Sequence, residues 1–185
     1  MSQTLFNHLL AESVEEKRVP KGRHLFHRDD RVHHIYLVLE GQIDLVRFHS
    51  DGKTAVLQRA FPGNILAEAS LFADRYHCDA VASEPARVAY LRAAEVHSLL
   101  DNDPVLAKAW MRHLSNELQN SRKRAEIISL NKVSDRLDAW IAWNDGTKPP
   151  KGEWYKVAAE IGVSPEALYR ELARRKLWRA PRAEE

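Results

Sequence analysis

Between residues 19 and 91 the chain never sustains a helical pattern. Short runs rich in strand-forming residues recur instead, at 24–27, 35–39, 43–48, 54–59, 65–67, 78–82 and 87–91. Turn chemistry separates them: Pro20-Lys21-Gly22, Arg28-Asp29-Asp30, Glu40-Gly41, Ser50-Asp51-Gly52, Pro62-Gly63 and Glu84-Pro85. Asp51-Gly52 is a strong hairpin signal, because its turn needs positive φ at both central positions. No long helix intervenes to carry the chain across a parallel sheet. About seven short strands at this spacing therefore predict a compact antiparallel barrel or sandwich.

Helical spacing frames this region. Residues 4–17 alternate loosely and predict a short helix. Residues 92–103 place Val96, Leu99 and Leu100 on one face. Asp103 is then an N-cap and Pro104 a first helical residue, where a missing N–H costs nothing. From Pro104 to Leu130 there is no further Gly or Pro. Met111, Leu114, Leu118, Ser121, Ala125 and Ile128 fall at alternating three- and four-residue steps, a heptad seam. Packing on its own domain is one use of such a face. The helix length and the small polar Ser121 favour pairing with a second copy of the chain. Val133–Trp143 reads as another helix, with Leu137, Trp140 and Ile141 on one side, and 144–152 is loop chemistry.

The composition excludes several classes. The chain has 185 residues, 44% hydrophobic and 29% charged, which is globular composition for one or two domains. No uncharged stretch exceeds the eleven residues 1–11, so no membrane span and no signal peptide are expected, and the predicted location is the cytosol. The single cysteine, Cys78, allows neither an internal disulfide nor a four-cysteine zinc or iron–sulfur site. Residues 1–120 carry 14 basic and 16 acidic side chains; residues 121–185 carry 14 and 10. The basic excess at the C-terminal end fits either a polyanion-binding surface or a solvated helical face. No nucleophile–base spacing, Gly-rich phosphate loop or metalloprotease motif points to an enzyme.

The sharpest signal lies in residues 154–175. Val157, Ala158 and Ile161 form the inner side of one helix, and Gly162 supplies a turn that needs positive φ. Val163 anchors the turn, Ser164 caps the next helix and Pro165 opens it. Leu168 and Leu172 point inward; Glu166, Tyr169, Arg170 and Arg174 point outward. This is the spacing of a helix-turn-helix, whose second helix lies in the DNA major groove. Arg170 is the candidate for guanine readout, Glu166 for a cytosine amino group, and Tyr169 for a phosphate or thymine methyl. Arg174 and Lys156 are placed on phosphates, with Ser164 at the helix start.

Together these features resemble the cyclic-AMP receptor protein/fumarate–nitrate regulator (CRP/FNR) family of bacterial transcription factors, over about residues 5–178. Pro20-x-Gly22, Leu25-Phe26, 35–41, Asp51-Gly52 and 61–64 resemble the family's β-roll turns in order. Glu68-Ala69-Ser70-Leu71-Phe72 resembles the start of its phosphate-binding cassette, Val133-Ser134-Asp135-Arg136-Leu137 the start of its DNA-binding domain, and 164–170 its recognition helix. The resemblance implies an α+β chain: an N-terminal antiparallel β-roll of the jelly-roll kind (1–103), a long dimerisation helix (104–131) and a helix-turn-helix domain (132–185). It also implies a homodimer on double-stranded DNA, with RNA polymerase or another regulator as a further partner.

The effector site departs from the family pattern. The family's Gly-Glu pair falls on Ala67-Glu68, its Arg-Ser pair on Cys78-Asp79, and its two base-contacting residues on Ser121 and Arg122. Glu68 remains able to accept from a ribose hydroxyl. Cys78 has no charge for a phosphate, and Asp79 adds a negative one, a penalty in a partly desolvated pocket. Usual binding of cyclic AMP or cyclic GMP is therefore not expected. No cofactor is specified. Nine histidines leave haem or a metal open, with His77-Cys78 as a pair; a redox role for Cys78, or an acidic metabolite on Arg122 or Arg124, are further alternatives to a pocket packed shut. Residues 177–185 are too short and too poor in strand formers for the family's wing, and Glu171 stands where an apolar residue is usual. A β-roll sensor or scaffold acting through protein partners is the rival to DNA binding.

Overall fold

The computed structural model describes residues 2–13, 15–48, 50 and 54–175. The Asp51-Gly52 turn and the expected wing segment thus lie outside the described residues. The chain separates into two compact units, 1–116 and 117–185.

The first unit opens with α1 (Ser2–Glu12) and continues through eight strands. These are β1 (Glu15–Val19), β2 (His24–Phe26), β3 (His34–Glu40), β4 (Ile43–Phe48), β5 (Thr54–Ala60), β6 (Ile65–Leu66), β7 (Asp79–Ala82) and β8 (Ala86–Arg92). They form two four-stranded antiparallel sheets, ordered β1-β8-β3-β6 and β2-β7-β4-β5. Strands Ile43–Phe48 and Thr54–Ala60 pair with Phe48 opposite Thr54, as a hairpin there requires. The predicted helix over 4–17 is shorter than expected, and 15–19 is an edge strand. Four of its five side chains are exposed, so Glu15, Glu16, Lys17 and Arg18 show no apolar alternation to mark a strand. Gly41 permits the return from β3 to β4. Its φ is +74°, and a Cβ there would meet the Pro85 carbonyl oxygen at 2.0 Å. Ile35, Leu37, Ile43, Leu66, Val88 and Val96 are fully enclosed between the sheets and the flanking helices.

Helix α2 (Ala93–Asn102) is followed by α3 (Pro104–Ser129). The Asp103 carboxylate accepts from the backbone N–H groups of Val105 and Leu106 at 2.8 and 3.0 Å, satisfying two of the open donors at the start of α3. Leu106, Trp110 and His113 of α3 are buried in the first unit. The second unit holds the remainder of α3, then α4 (Val133–Trp143), α5 (Trp154–Glu160) and α6 (Pro165–Arg174). Its core gathers Ile127, Leu137, Trp140, Trp154, Val157, Ala158, Ile161, Leu168 and Leu172.

Candidate DNA-reading helix and effector segment

The turn between α5 and α6 is built by three devices. Gly162 has φ +66°, and a Cβ there would press on Ile128 Cγ1 at 3.2 Å. Arg136 of α4 donates to the carbonyls of Ile161 and Gly162 at 3.1 and 2.9 Å, and to Leu130 at 2.7 Å. Ser164 Oγ accepts from the Ala167 N–H at 3.2 Å, with Pro165 at the first helical position. Ala158 is fully buried at the crossing.

α6 sorts its side chains by face. Leu168 and Leu172 are buried; Glu166 and Arg170 are exposed. Arg170 makes no hydrogen bond or ion pair among the described residues. The Glu166 carboxyl is held below its ordinary range by its own backbone N–H and by Ser164, so it stays an acceptor. Three of the candidates are engaged within their own unit. Tyr169 is half-buried against the core rather than pointing freely outward. Arg174 is exposed but spends two donors on Glu171, at 2.8 and 2.7 Å. Lys156 sits 3.0 Å from Glu153.

Glu171 does not break the helix face despite replacing an apolar residue. It is buried and takes the guanidinium groups of Arg174 and Arg175, which hold its carboxyl down at about 2. Arg175 continues to Asp138 of α4 and donates to the Ser134 carbonyl at 2.9 Å. The position is filled by a neutralised carboxylate, and the network ties α6 to α4.

In the first unit, Ala67 precedes a 3-10 turn at Glu68–Ser70 and has φ +67°, a left-handed conformation usually left to glycine. The backbone thus takes a glycine-type shape at an alanine. Glu68, Ser70 and Cys78 are buried. Burial pushes the Cys78 thiol up to about 11, so the reactive thiolate is not formed at neutral pH. His77 is exposed, with its Nδ1 3.2 Å from Ser70 Oγ, so it does not pair with Cys78 as a ligand set.

Asp79 departs furthest from expectation. Along β7 the alternation places Ala80 and Ala82 inward and Asp79 and Val81 toward the outside. The Asp79 carboxylate is turned to two imidazoles, His27 at 3.4 Å and His24 at 3.9 Å, and accepts from the Arg28 backbone N–H at 3.4 Å. It does not stand as an unpaired anion beside Cys78. His24 and His27 have no place in the sequence reading, since only the β2–β7 pairing carries them to a residue more than fifty positions away. The other two effector candidates, Ser121 and Arg122, are exposed on α3 and belong to the second unit.

Among the described residues, much of the seam of α3 is exposed. Met111 is 63% exposed, Leu118 52% and Ile128 39%, and Ser121 and Ala125 are exposed too. Leu114 differs: it is half-buried and packs against the core of its own unit.

A β-roll followed by a long helix and a helix-turn-helix defines the architecture. Residues 16–103 match the cyclic nucleotide-binding domain. The transcriptional regulatory protein btr of Bordetella pertussis is 26% identical over 133 residues, 71% of this chain and 55% of that protein. The cyclic AMP receptor protein of Thermus thermophilus is 26% identical over 130 residues, 69% of this chain and 60% of that protein. The structure of FixK2 from Bradyrhizobium japonicum shares the fold, with a TM-score of 0.71 at 15% identity, over 88% of this chain and 84% of that one. The chain is thus similar to CRP/FNR-type transcription regulators over most of its length and carries a cyclic nucleotide-binding-type domain. It spans little more than half the length of the curated relatives it matches. No helix among the described residues is long and apolar enough to cross a membrane.

Proposed function

We propose that the protein is a dimeric, DNA-binding transcription regulator that does not take cyclic AMP or cyclic GMP in the family's usual way. Arg170 carries the reading. It projects from a well-capped helix, one turn beyond Glu166, with its guanidinium uncommitted among the described residues and able to meet a guanine edge bidentately. Arg174 supplements it: with Arg175 still on Glu171, the exposed Arg174 can swing to a phosphate at little cost to the network. The apolar seam on α3 supplies the dimer, which brings two copies of α6 to half-sites about 34 Å apart. Cys78-Asp79 in place of an Arg-Ser pair removes the cation a cyclic phosphate needs.

The test is selection from random duplexes with wild type and Arg170→Ala. Wild type should enrich a two-fold-symmetric site, and Arg170→Ala should lose about 1–3 kcal/mol at one base pair per half-site. Leu118→Arg, at a position already half exposed in the single chain, should yield folded monomers by light scattering. Excess cyclic AMP should leave the melting temperature unchanged. If no symmetric site enriches, the rival takes over: a scaffold acting through protein partners, favoured by the pairing of Lys156, Arg174 and Arg175 with carboxylates.

A further inference from the structure

His24 closes the start of β2, His27 follows its end, and Asp79 begins β7, the strand that pairs with β2. The three offer ligand atoms that all lie within 4.8 Å of one another, the one such His/Cys/Asp/Glu group among the described residues. Their spacing is unlike that of a hydrogen-bonded cluster. His27 Nδ1 and His24 Nε2 stand 3.4 and 3.9 Å from Asp79 Oδ1, beyond the usual N–H···O length of about 2.7–3.2 Å. It is close to the separation of two ligands sharing one tetrahedral ion, about 3.3 Å for bonds near 2.05 Å. The two imidazoles are stacked, with centroids 4.1 Å apart and planes 24° from parallel, so holding one ion in the plane of both rings requires the exposed His27 ring to turn.

The surroundings favour a cation. The Arg28 backbone N–H orients Asp79, while the Arg28 guanidinium turns to Asp29 at 3.4 Å, so it does not neutralise the site. Asp79 is 13% exposed, His24 30% and His27 59%, which leaves one side open to solvent for entry and for water ligands. Two imidazoles and one carboxylate suit a borderline-soft first-row ion and not a hard cation, which takes oxygen ligands.

We propose that His24, His27 and Asp79 bind a divalent transition-metal ion of the zinc type, with water completing the coordination. The ion bridges β2 to the start of β7, where Asp79 follows Cys78. It is an input to the sensor unit at the position that aligns with the second residue of the family's Arg-Ser pair. Binding itself does not depend on the DNA-reading assignment above.

The experiment uses the untagged full chain, stripped by a chelator and titrated with Co²⁺ as a spectroscopic stand-in. One equivalent should give saturable visible d–d absorption that Zn²⁺ displaces and excess Mg²⁺ does not. His27→Gln and Asp79→Asn should each weaken Co²⁺ affinity roughly tenfold or more, whereas His33→Gln, an exposed histidine on the segment before β3, should bind as wild type. His27 is the most exposed of the three, so its variant keeps the fold, checked by circular dichroism. No saturable spectrum, equal displacement by Mg²⁺, or a spectrum unchanged in both ligand variants overturns the proposal.

Discussion

The two units of this chain are held together by different means. The β-roll encloses a large apolar interior fed by both sheets, α1, α2 and the first part of α3. The helix-turn-helix unit has a small apolar centre, and its turn and outer helix are fastened by charged groups: Arg136 on two carbonyls of the turn, Arg175 between Glu171 and Asp138. Apolar burial resists pH and salt, whereas ion pairs and charge-assisted hydrogen bonds respond to both. The helix-turn-helix unit should therefore be the condition-sensitive half of the molecule.

The sharpest way to break this contrast is to remove core volume from each unit. Leu168→Ala and Leu37→Ala both delete a fully buried side chain and should each cost about 2–5 kcal/mol. Leu168→Ala should lower the denaturant midpoint of the second unit selectively, because it takes a larger share of a smaller core. Emission from Trp140 and Trp154, both in that core, reports it. Equal shifts in the two units would mean that they unfold as one.

Acid is the next lever. The folded Glu171 carboxyl lies at about 2, below its ordinary value of 4.5. Its contribution is thus complete above about 4.5 and is lost as pH falls from there toward 2. Urea unfolding at pH 6 and pH 3 should show the second unit losing stability. Glu171→Gln should cost about 1–3 kcal/mol at pH 6 and reduce that pH dependence. An unaltered pH profile in the variant would remove Glu171 from the account.

Two left-handed positions give the smaller effects. Gly162→Ala adds both backbone strain and contact with Ile128, and should cost about 1–2 kcal/mol, read from the thermal midpoint of the second unit. Ala67→Gly relieves a similar strain of about 1–2 kcal/mol. It also loses a buried methyl worth about 0.8 kcal/mol and gains unfolded-state freedom of about 0.4–1 kcal/mol. The two sides nearly cancel, and a melting temperature within a degree or two of wild type is expected. A large loss on Ala67→Gly would mean that the methyl contributes packing beyond its area.

The strands between His24 and Arg92, the capped start of α3 and the Gly162 turn were legible in the sequence because each depends on local chemistry: turn residues, N-caps and a positive φ. What stayed hidden depends on pairing at a distance. Glu171 reads as a misplaced charge although its partners Arg174 and Arg175 stand three and four residues on; only the link from Arg175 to Asp138 of α4 is long-range. Leu114 reads as seam until the roll core is seen to reach it. Asp79 had a local clue, since Ala80 and Ala82 alternate with it and claim the interior. Its histidine partners had none, as nothing in His24-x-x-His27 indicates that strand pairing delivers a carboxylate between them.

The edge strand β1 carries one further consequence. It borders its sheet with Glu15, Glu16, Lys17 and Arg18 all turned to solvent, and Arg87 on the neighbouring strand grips Glu16 and Glu40 at 2.6 Å. An open sheet edge is a template on which another chain can add a strand, the first step toward fibrous aggregates. Four charged side chains in sequence make that addition costly, because an incoming strand would strip them of water or meet like charge. The absence of apolar alternation that disguises β1 in the sequence is thus also a guard against self-templating, and it leaves association of the chain to surfaces other than its sheet edge.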